Sequence, residues 1–368
     1  MNITPLQKWV PNMKEHLYIA GPCAAESRTQ LLNIAEELAG YGGFKIFRAG
    51  IWKPRTRPGN FEGIGEEGLT WLQEIKDKYG FLTTVEVAGA AHVELALKYN
   101  VDVLWIGART TVNPFSVQEI ADALKGRDIP VIVKNPLNAD LSLWLGALER
   151  INNAGITRLA AVHRGFSSID PGKYRFDPVW KIPVELKKRH PSLPIICDPS
   201  HIAGDTKLIA NIAQKALDLD MSGLMIEVHN DPQNALSDRN QQLKPKEAHD
   251  LIGNLSKRKI TSNDQNFEQI MEKLRNKIDR FDHELLELVH SRMNIVDEIA
   301  NIKFQNNITP LQMKRFCNLS QNRIDFGKKL NLPKNLTEEL FMIIHEESLR
   351  RQSELMCNLK LNKESSKS

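Results

Sequence analysis

The sequence has few cysteines, almost no excess of charge and no long apolar run. Its four cysteines form no CxxC pair and no spacing typical of zinc sites, so we expect free thiols in a reducing compartment. The net charge of +4 does not indicate a nucleic acid or a membrane as partner. No apolar run approaches the roughly 20 residues of a membrane span. Because residues 1–20 also lack the apolar core of a signal peptide, we expect a cytoplasmic protein.

What the sequence does contain is a regular alternation of short apolar runs and amphipathic stretches. Each run is rich in Val, Ile, Leu and Phe and ends at Gly, Pro, Asn or Asp, as strands do. Eight strand–helix alternations favour an α/β fold of the (β/α)8 (TIM) barrel type over an open doubly wound sheet. We predict this barrel domain over residues 1–255. The predicted strands lie at 17–21, 44–50, 81–87, 101–107, 130–135, 159–165, 194–200 and 224–229.

The pattern changes after the barrel. Residues 256–264 are polar and without strong periodicity, which is typical of a linker. From 266 to 303 a helical apolar period continues without Gly or Pro, and two shorter helical stretches follow. We therefore predict an all-α three-helix domain over 265–360 and a disordered tail over 361–368.

The strand ends carry the chemistry, because barrel active sites lie at the C-terminal ends of the strands. Loops are polar in any protein, so a single such residue says little, but here the residue types group by chemistry. Cations predict a site for phosphates or carboxylates. A mixed thiol, imidazole and carboxylate set suits Mn²⁺, Fe²⁺, Co²⁺ or Zn²⁺, and indicates Lewis-acid chemistry on a small, multiply anionic substrate. The cations are Arg48, Lys53, Arg55, Arg109, Lys134 and Arg164, and the metal-ligand set is Cys23, His201, Glu227 and Asp238.

The motifs around these residues resemble those of a known family. GPCAAES (21–27), KPRT (53–56), HRGF (163–166) and DPSH (198–201) are similar to strand-end motifs of 3-deoxy-D-arabino-heptulosonate 7-phosphate (DAHP) synthases of the short, type Iβ-like branch. The resemblance implies condensation of phosphoenolpyruvate with erythrose 4-phosphate, with a divalent metal ion, Mn²⁺ first, on the four predicted ligands. Arg239–Asn240 follow Asp238 where the family commonly has Gly. Asp238 therefore matches the family's motif less closely than the other three ligands do.

The same resemblance implies roles for the remaining residues of the mouth. Arg109, Lys134 and Arg164 would bind the phosphate of phosphoenolpyruvate. Arg48 and Lys53 would face its carboxylate end and the reaction centre. The phosphate of erythrose 4-phosphate would bind Arg55 and Thr56, next to Arg57, an extra cation where the family usually has Ser. His163 and Glu86 are candidates for proton handling, with a structural hydrogen-bonding role as the alternative for each.

The long predicted helix carries three spaced cations. At about 100° per residue, the step from Arg275 to Arg292 turns by about 260° and the step from Arg292 to Lys303 by about 20°. Arg292 and Lys303 thus share a face, and Arg275 reaches the same site only from a second chain. An ordinary solvated helix face is the alternative.

LRNKID (274–279) and HEESLRRQ (345–352) resemble AroQ-type chorismate mutases, which are intertwined dimers. The resemblance implies a homodimer or higher oligomer and conversion of chorismate to prephenate. Chorismate carboxylates would bind Arg275 of the partner chain, Arg292 and Arg315, and its ether oxygen would bind Lys303 and Gln352. Phe316 stands where the family usually has an acid for the substrate hydroxyl.

Three readings remain open from the sequence. The first is a bifunctional enzyme whose helical domain binds chorismate or prephenate and reports pathway output to the barrel, with prephenate as a candidate inhibitor. The second is a synthase with a tail that only dimerises or senses a ligand. The third keeps the barrel but changes the sugar, as in the related KDO 8-phosphate synthases.

Overall fold

The computed structural model describes residues 1–13, 15–53, 59, 61–169, 172–259 and 261–365. The chain divides into two compact units, Met1–Ile260 and Thr261–Ser368. Arg55, Thr56 and Arg57, for which the sequence predicted an erythrose 4-phosphate site, lie outside the described residues.

The first unit is the predicted barrel. All neighbouring strands run parallel, and the sheet closes where Leu17 of the first strand pairs with Gly223 of the last. The predicted (β/α)8 fold is thus confirmed, with strand ends trimmed at the flanking Gly, Pro and Asp residues. The strands are β1 (Leu17–Gly21), β2 (Ile46–Arg48), β3 (Leu82–Val87), β4 (Val103–Ile106), β5 (Val131–Lys134), β6 (Leu159–His163), β7 (Ile195–Cys197) and β8 (Gly223–Glu227).

Helices follow the strands and cover the outside of the barrel. Their buried faces pack on the outward side chains of the strands in one continuous apolar layer. The helices of this unit are α1 (Arg28–Tyr41), α2 (Glu67–Tyr79), α3 (Ala90–Lys98), α4 (Ala108–Thr111), α5 (Pro114–Leu124), α6 (Leu141–Asn153), α7 (Lys181–Arg189), α8 (Pro199–Ala203), α9 (Thr206–Asp218) and α10 (Pro245–Asn254), with short 3₁₀ turns at Leu6–Lys8, Pro232–Asn234 and Arg239–Gln241.

The barrel interior is a second, separate apolar cluster. Inward side chains such as Ile19, Trp105 and Ile132 fill it, and the N-terminal segment adds Leu6 and Trp9. Leu17, the first residue of β1, lies at the N-terminal end of the barrel and belongs to the same cluster. The N-terminal segment therefore plugs the end opposite the candidate site.

Replacing Trp9 with alanine should therefore destabilise the barrel. Trp9 is 5% exposed, and its indole donates a hydrogen bond of 3.2 Å to the carbonyl oxygen of Thr4. Truncating a buried aromatic residue typically costs about 3–5 kcal/mol. The check is thermal unfolding followed by circular dichroism, with Phe115→Ala, which removes an 87% exposed ring, as the control. Equal melting temperatures for the two variants would contradict the plug.

The second unit consists of three helices, α11 (Gln265–Gln305), α12 (Met313–Lys329) and α13 (Lys334–Ser365). This all-α region after the barrel is as predicted. The tail differs, since residues 361–365, predicted to be disordered, continue α13 and residues 366–368 lie outside the described part. Without Gly or Pro, nothing in 361–365 ends the helix. None of the described helices is long and apolar enough to cross a membrane.

Candidate active sites

The C-terminal mouth of the barrel is a small cavity with cationic walls. Side chains from the ends of several strands and from the loops after them line it, so residues far apart in sequence share one site. Four of the six predicted cations are among them, and Arg48 is not. The lining residues are Lys53, Glu86, Gly107, Ala108, Arg109, Lys134, Arg164, Arg175, Phe176, His201 and Asp238.

Three of the four predicted metal ligands converge at one side of this cavity. One ligand atom each of Cys23, Glu227 and Asp238 lies within 4.8 Å of the others. His201, the fourth, lies close by, with Nδ1 at 3.7 Å from Glu227 Oε1 and 2.8 Å from Asp198 Oδ2. One thiol, two carboxylates and an adjacent imidazole form a donor set that fits a borderline divalent cation.

The thiol of Cys23 is held in place from several sides. It donates a hydrogen bond to Asp238 Oδ2 at 3.1 Å, and Lys53 Nζ lies 3.1 Å from Sγ. Burial, reinforced by the charge of Glu227, raises the pKa of Cys23 to about 12, so the thiol of the metal-free protein keeps its proton at neutral pH. The backbone N–H of Cys23 donates to Gln242 Oε1 at 2.9 Å, which fixes the loop that carries the thiol.

Buried ion pairs fix the cations of the mouth. Arg48 pairs with Glu227 at 3.0 Å and lies over the ring of Trp105, and Lys134 pairs with Asp198 at 2.8 Å. Burial lowers the pKa of Lys134, and burial opposes ionisation of Asp198, but the cations around Asp198 still lower its pKa well below the usual value. The charges are therefore in position before a substrate arrives, at the expense of desolvation.

Arg164 is a further buried cation of the site. Burial lowers its pKa to about 10, an effect that the nearby Asp198 opposes and that Arg175 and Arg109 reinforce. Its guanidinium lies 3.6 Å from the ring centroid of Phe176. A bound anion would offset the repulsion among these positive charges. The sequence predicts such a site for phosphates or carboxylates.

Glu86 enters the cavity because its neighbour is a glycine. A Cβ atom at Gly107 would lie 1.9 Å from Glu86 Oε1, so any larger residue would displace the carboxylate. The second oxygen accepts a hydrogen bond of 3.1 Å from the indole of Trp105.

His163 does not share this environment. It is completely buried, and its ring lies beside Phe166 and Trp180, with centroids 5.7 and 5.1 Å away. Burial, with the charge of Arg164, lowers the pKa of His163 to about 3, so the ring is neutral at physiological pH. It is not among the described residues that line the cavity, and both roles predicted for it stay predictions.

Several contributors to the site were missed from the sequence. Arg175, from the loop after β6, donates to Asp238 Oδ1 at 2.9 Å and to Gln241 Oε1 at 2.5 Å. Gln241 donates in turn to Glu227 Oε2 at 2.6 Å, so these two residues link two of the predicted ligands from outside. The position of Gln241, three residues after the predicted ligand Asp238, was the one sequence signal that could have indicated its role. No motif marks Arg175.

Loss of the Gln241 side chain should weaken metal binding. Residues that orient ligands from behind typically change metal affinity by about 10- to 100-fold. We expect Gln241→Ala to lower Mn²⁺ affinity by about 10-fold or more, measured by isothermal titration of the metal-free protein. Gln233→Ala, at an exposed position on a neighbouring turn, is the control. Unchanged affinity in Gln241→Ala would show that Glu227 needs no such support.

The helical unit gathers its own set of polar side chains. Arg292 donates to Ser348 Oγ at 2.7 Å, and Lys303 donates to Gln352 Oε1 at 3.2 Å. Ser348 and Gln352 are buried on α13, while Lys303 and Arg292 lie on α11. The predicted proximity of Arg292, Lys303 and Gln352 is present, and Ser348 is an addition that the sequence analysis missed.

The other two predicted cations of this unit, Arg315 and Arg275, are both exposed. Arg315 lies on α12. Burial lowers the pKa of Arg323, and the charges of Arg292 and Arg315 lower it further. Arg275 is exposed on α11, about 26 Å along the helix axis from Arg292 at 1.5 Å per residue. One chain therefore does not bring Arg275 to Arg292.

Fold and site together define a (β/α)8 barrel protein with a cationic mouth and a thiol–carboxylate cluster, followed by a helical unit. The sequence model of the DAHP synthetase I family matches residues 12–261, and that of chorismate mutase type II matches residues 274–353. The chain belongs to the DAHP synthetase I family and carries a chorismate mutase type II region after the barrel.

Known proteins match each region separately. A phospho-2-dehydro-3-deoxyheptonate aldolase of Thermotoga maritima is 34% identical over 225 residues, which cover 61% of this chain and 64%, under two thirds, of that protein. A 2-dehydro-3-deoxyphosphooctonate aldolase of Helicobacter acinonychis is 28% identical, over 65% and 94% of the two chains. A bifunctional chorismate mutase/prephenate dehydratase of Buchnera aphidicola is 34% identical over 87 residues, 23% of each chain. A crystal structure of the Thermotoga maritima DAHP synthase superposes with a TM-score of 0.58 at 31% identity, covering 65% of this chain and 67% of that one.

Proposed function

We propose that the protein is bifunctional. The barrel condenses phosphoenolpyruvate with erythrose 4-phosphate to DAHP and phosphate, and the helical unit rearranges chorismate to prephenate. The convergence of Cys23, Glu227 and Asp238 beside the cationic cavity is the observation that carries the first activity.

In the barrel, the cations bind and orient two substrates that would otherwise repel each other. Arg109, Lys134 and Arg164 hold the phosphate of phosphoenolpyruvate, while Arg48 and Lys53 lie toward its carboxylate end. Glu86 is placed to hold or move a proton at the cavity wall. Positioning and charge neutralisation of this kind account for large parts of enzymatic rate enhancement.

The four predicted ligands Cys23, His201, Glu227 and Asp238 would hold a divalent ion, with Mn²⁺ as the first candidate and Fe²⁺, Co²⁺ or Zn²⁺ as the others. Such an ion supplies Lewis-acid polarisation of a carbonyl oxygen when bound. Lys53, at 3.1 Å from the thiol, would then be adjacent to both the ion and the phosphoenolpyruvate site.

Removal of metal is the direct test of the barrel activity. Treatment with EDTA should reduce consumption of phosphoenolpyruvate in the presence of erythrose 4-phosphate by at least about 100-fold, and added Mn²⁺ should restore it. Chorismate conversion by the same sample is the internal control and should not change. Full synthase turnover after metal is shown to be absent would contradict the proposal.

The identity of the sugar needs its own comparison, because relatives include 2-dehydro-3-deoxyphosphooctonate aldolases. The KPRT motif (53–56) favours the four-carbon erythrose 4-phosphate. Erythrose 4-phosphate should therefore exceed arabinose 5-phosphate in kcat/KM, and the reverse order would reassign the barrel.

In the helical unit, the site is completed across a dimer. Exposed apolar residues form a row along α11, which a second copy would cover, and that copy would supply Arg275. Arg292 and Arg315 bind the remaining carboxylate charge, and Lys303 and Gln352 stabilise the ether oxygen as negative charge develops there. The row comprises Ile270, Leu274, Ile278, Phe281, Leu285 and Leu288.

Feedback coupling is the last part of the proposal. A mutase site that binds prephenate would report the end of the pathway segment to the barrel. Saturating prephenate should then lower synthase activity. An unchanged rate would contradict the coupling between the two domains.

A further inference from the structure

The mutase region lacks an acid where its family usually has one for the substrate hydroxyl, since Phe316 occupies that position. The phenyl ring cannot hydrogen bond. It stacks instead on the imidazole of His345, with ring centroids 4.4 Å apart and planes at 29°. Both side chains are half-buried between α12 and α13, so this is a packed pair within the unit.

His345 lies on the face of α13 that carries the other polar groups of the site. Ser348 and Gln352 follow it by one and two helical turns, at rotations of about 300° and 340°, so the three side chains form one stripe. Arg292 contacts Ser348 and Lys303 contacts Gln352, which makes this stripe one wall of the candidate chorismate site.

Two of the cations around the imidazole, Arg292 and Lys303, belong to the site. Burial lowers the pKa of His345, and Arg323, Arg292 and Lys303 lower it further against the opposing charge of Glu346. Arg323 is held over the ring of Phe341 at 4.5 Å, one turn before His345 on α13. A neutral imidazole offers one donor and one acceptor, which is what an alcohol needs from a partner.

We propose that His345 is a catalytic residue of the mutase site that hydrogen bonds the ring hydroxyl of chorismate, in place of the acid replaced by Phe316. Phe316 is then a positioning residue whose ring sets the plane of the imidazole. The inference rests on the proposed mutase function and adds a substrate-binding group to it.

The test uses the full-length protein and two substrates, chorismate and an analogue in which the ring hydroxyl is replaced by hydrogen. His345→Leu should lower kcat/KM for chorismate by roughly 10- to 100-fold, the size expected for a lost hydrogen bond in a closed site. For the deoxy analogue, the wild type and His345→Leu should react at equal rates. His345→Gln, which keeps a donor and an acceptor, should retain most of the activity toward chorismate.

His283→Leu is the control, because His283 is exposed on α11 and lies opposite the apolar row of that helix. A purely structural role for His345 would lower the rates of both substrates alike, and that outcome overturns the inference, as does an unchanged rate with chorismate. Wild-type protein that dimerises but does not convert chorismate overturns the mutase function itself, which separates the two failures.

Discussion

Replacing Cys23 with alanine should abolish metal binding and lower DAHP synthase turnover by at least about 1,000-fold, the range seen when groups that act directly on the reacting centre are lost. The thiol contacts Asp238 and Lys53 and lies within 4.8 Å of the carboxylate of Glu227. Without it, two carboxylates and an imidazole remain, a harder and incomplete set. The measurement is metal content by atomic absorption after dialysis, together with consumption of phosphoenolpyruvate.

Cys197→Ala is the matched control for this prediction. Cys197 is also fully buried, at the end of β7, but it belongs to the apolar layer between strands and helices. This variant should keep its metal. A Cys23→Ala protein that retains one ion per chain and full activity would refute the assignment of the thiol as a ligand.

Replacing Lys303 with methionine should lower mutase turnover by about 1,000-fold, because a preorganised charge aimed at developing negative charge is commonly worth this much. Nζ donates to Gln352 Oε1 at 3.2 Å and to the carbonyl oxygen of Pro310 at 2.6 Å, so the ammonium group is oriented before substrate binds. Methionine keeps the length of the stem but removes the charge. Loss of absorbance of chorismate reports the rate.

Lys329→Met, at an exposed position at the end of α12, is the control and should leave the rate unchanged. The synthase activity of Lys303→Met, measured without prephenate, should equal that of the wild type. Mutase turnover within a few-fold of wild type in Lys303→Met would place the ether oxygen elsewhere.

Together these variants separate the two activities. Cys23→Ala addresses only the barrel and Lys303→Met only the helical unit, so each protein serves as the other's control. If prephenate inhibits the synthase of the wild type, Lys303→Met further tests whether the mutase site is where that signal binds.

The barrel and its mouth were predictable because they follow from local rules. Short apolar runs ended by Gly or Pro give parallel strands, and parallel strands in a closed barrel present their C-terminal ends at one mouth. Lys134 and Glu227 could be placed there from their position in the sequence alone. Arg175 could not, since it comes from a long loop whose path depends on contacts with Asp238 and Gln241.

The surroundings of two histidines differ, although the sequence placed both at strand ends. His163 is the last residue of β6 and His201 follows β7, yet His201 lies beside the carboxylates of Asp198 and Glu227 while His163 is enclosed by Phe166 and Trp180. A residue's position at a strand end does not say whether its side chain turns toward the cavity or toward the surrounding helices.

The sequence by itself determined the order of the elements, the barrel, the helical region and most of the cations, since these depend on periodicity and on chain direction. Only the tertiary structure decided which side chains meet: the support of Glu227 by Gln241, the burial of His163, and the stacking of Phe316 on His345. Periodicity is a property of neighbouring residues. Contacts between distant ones depend on how helices and loops pack, and a one-dimensional pattern does not contain that geometry.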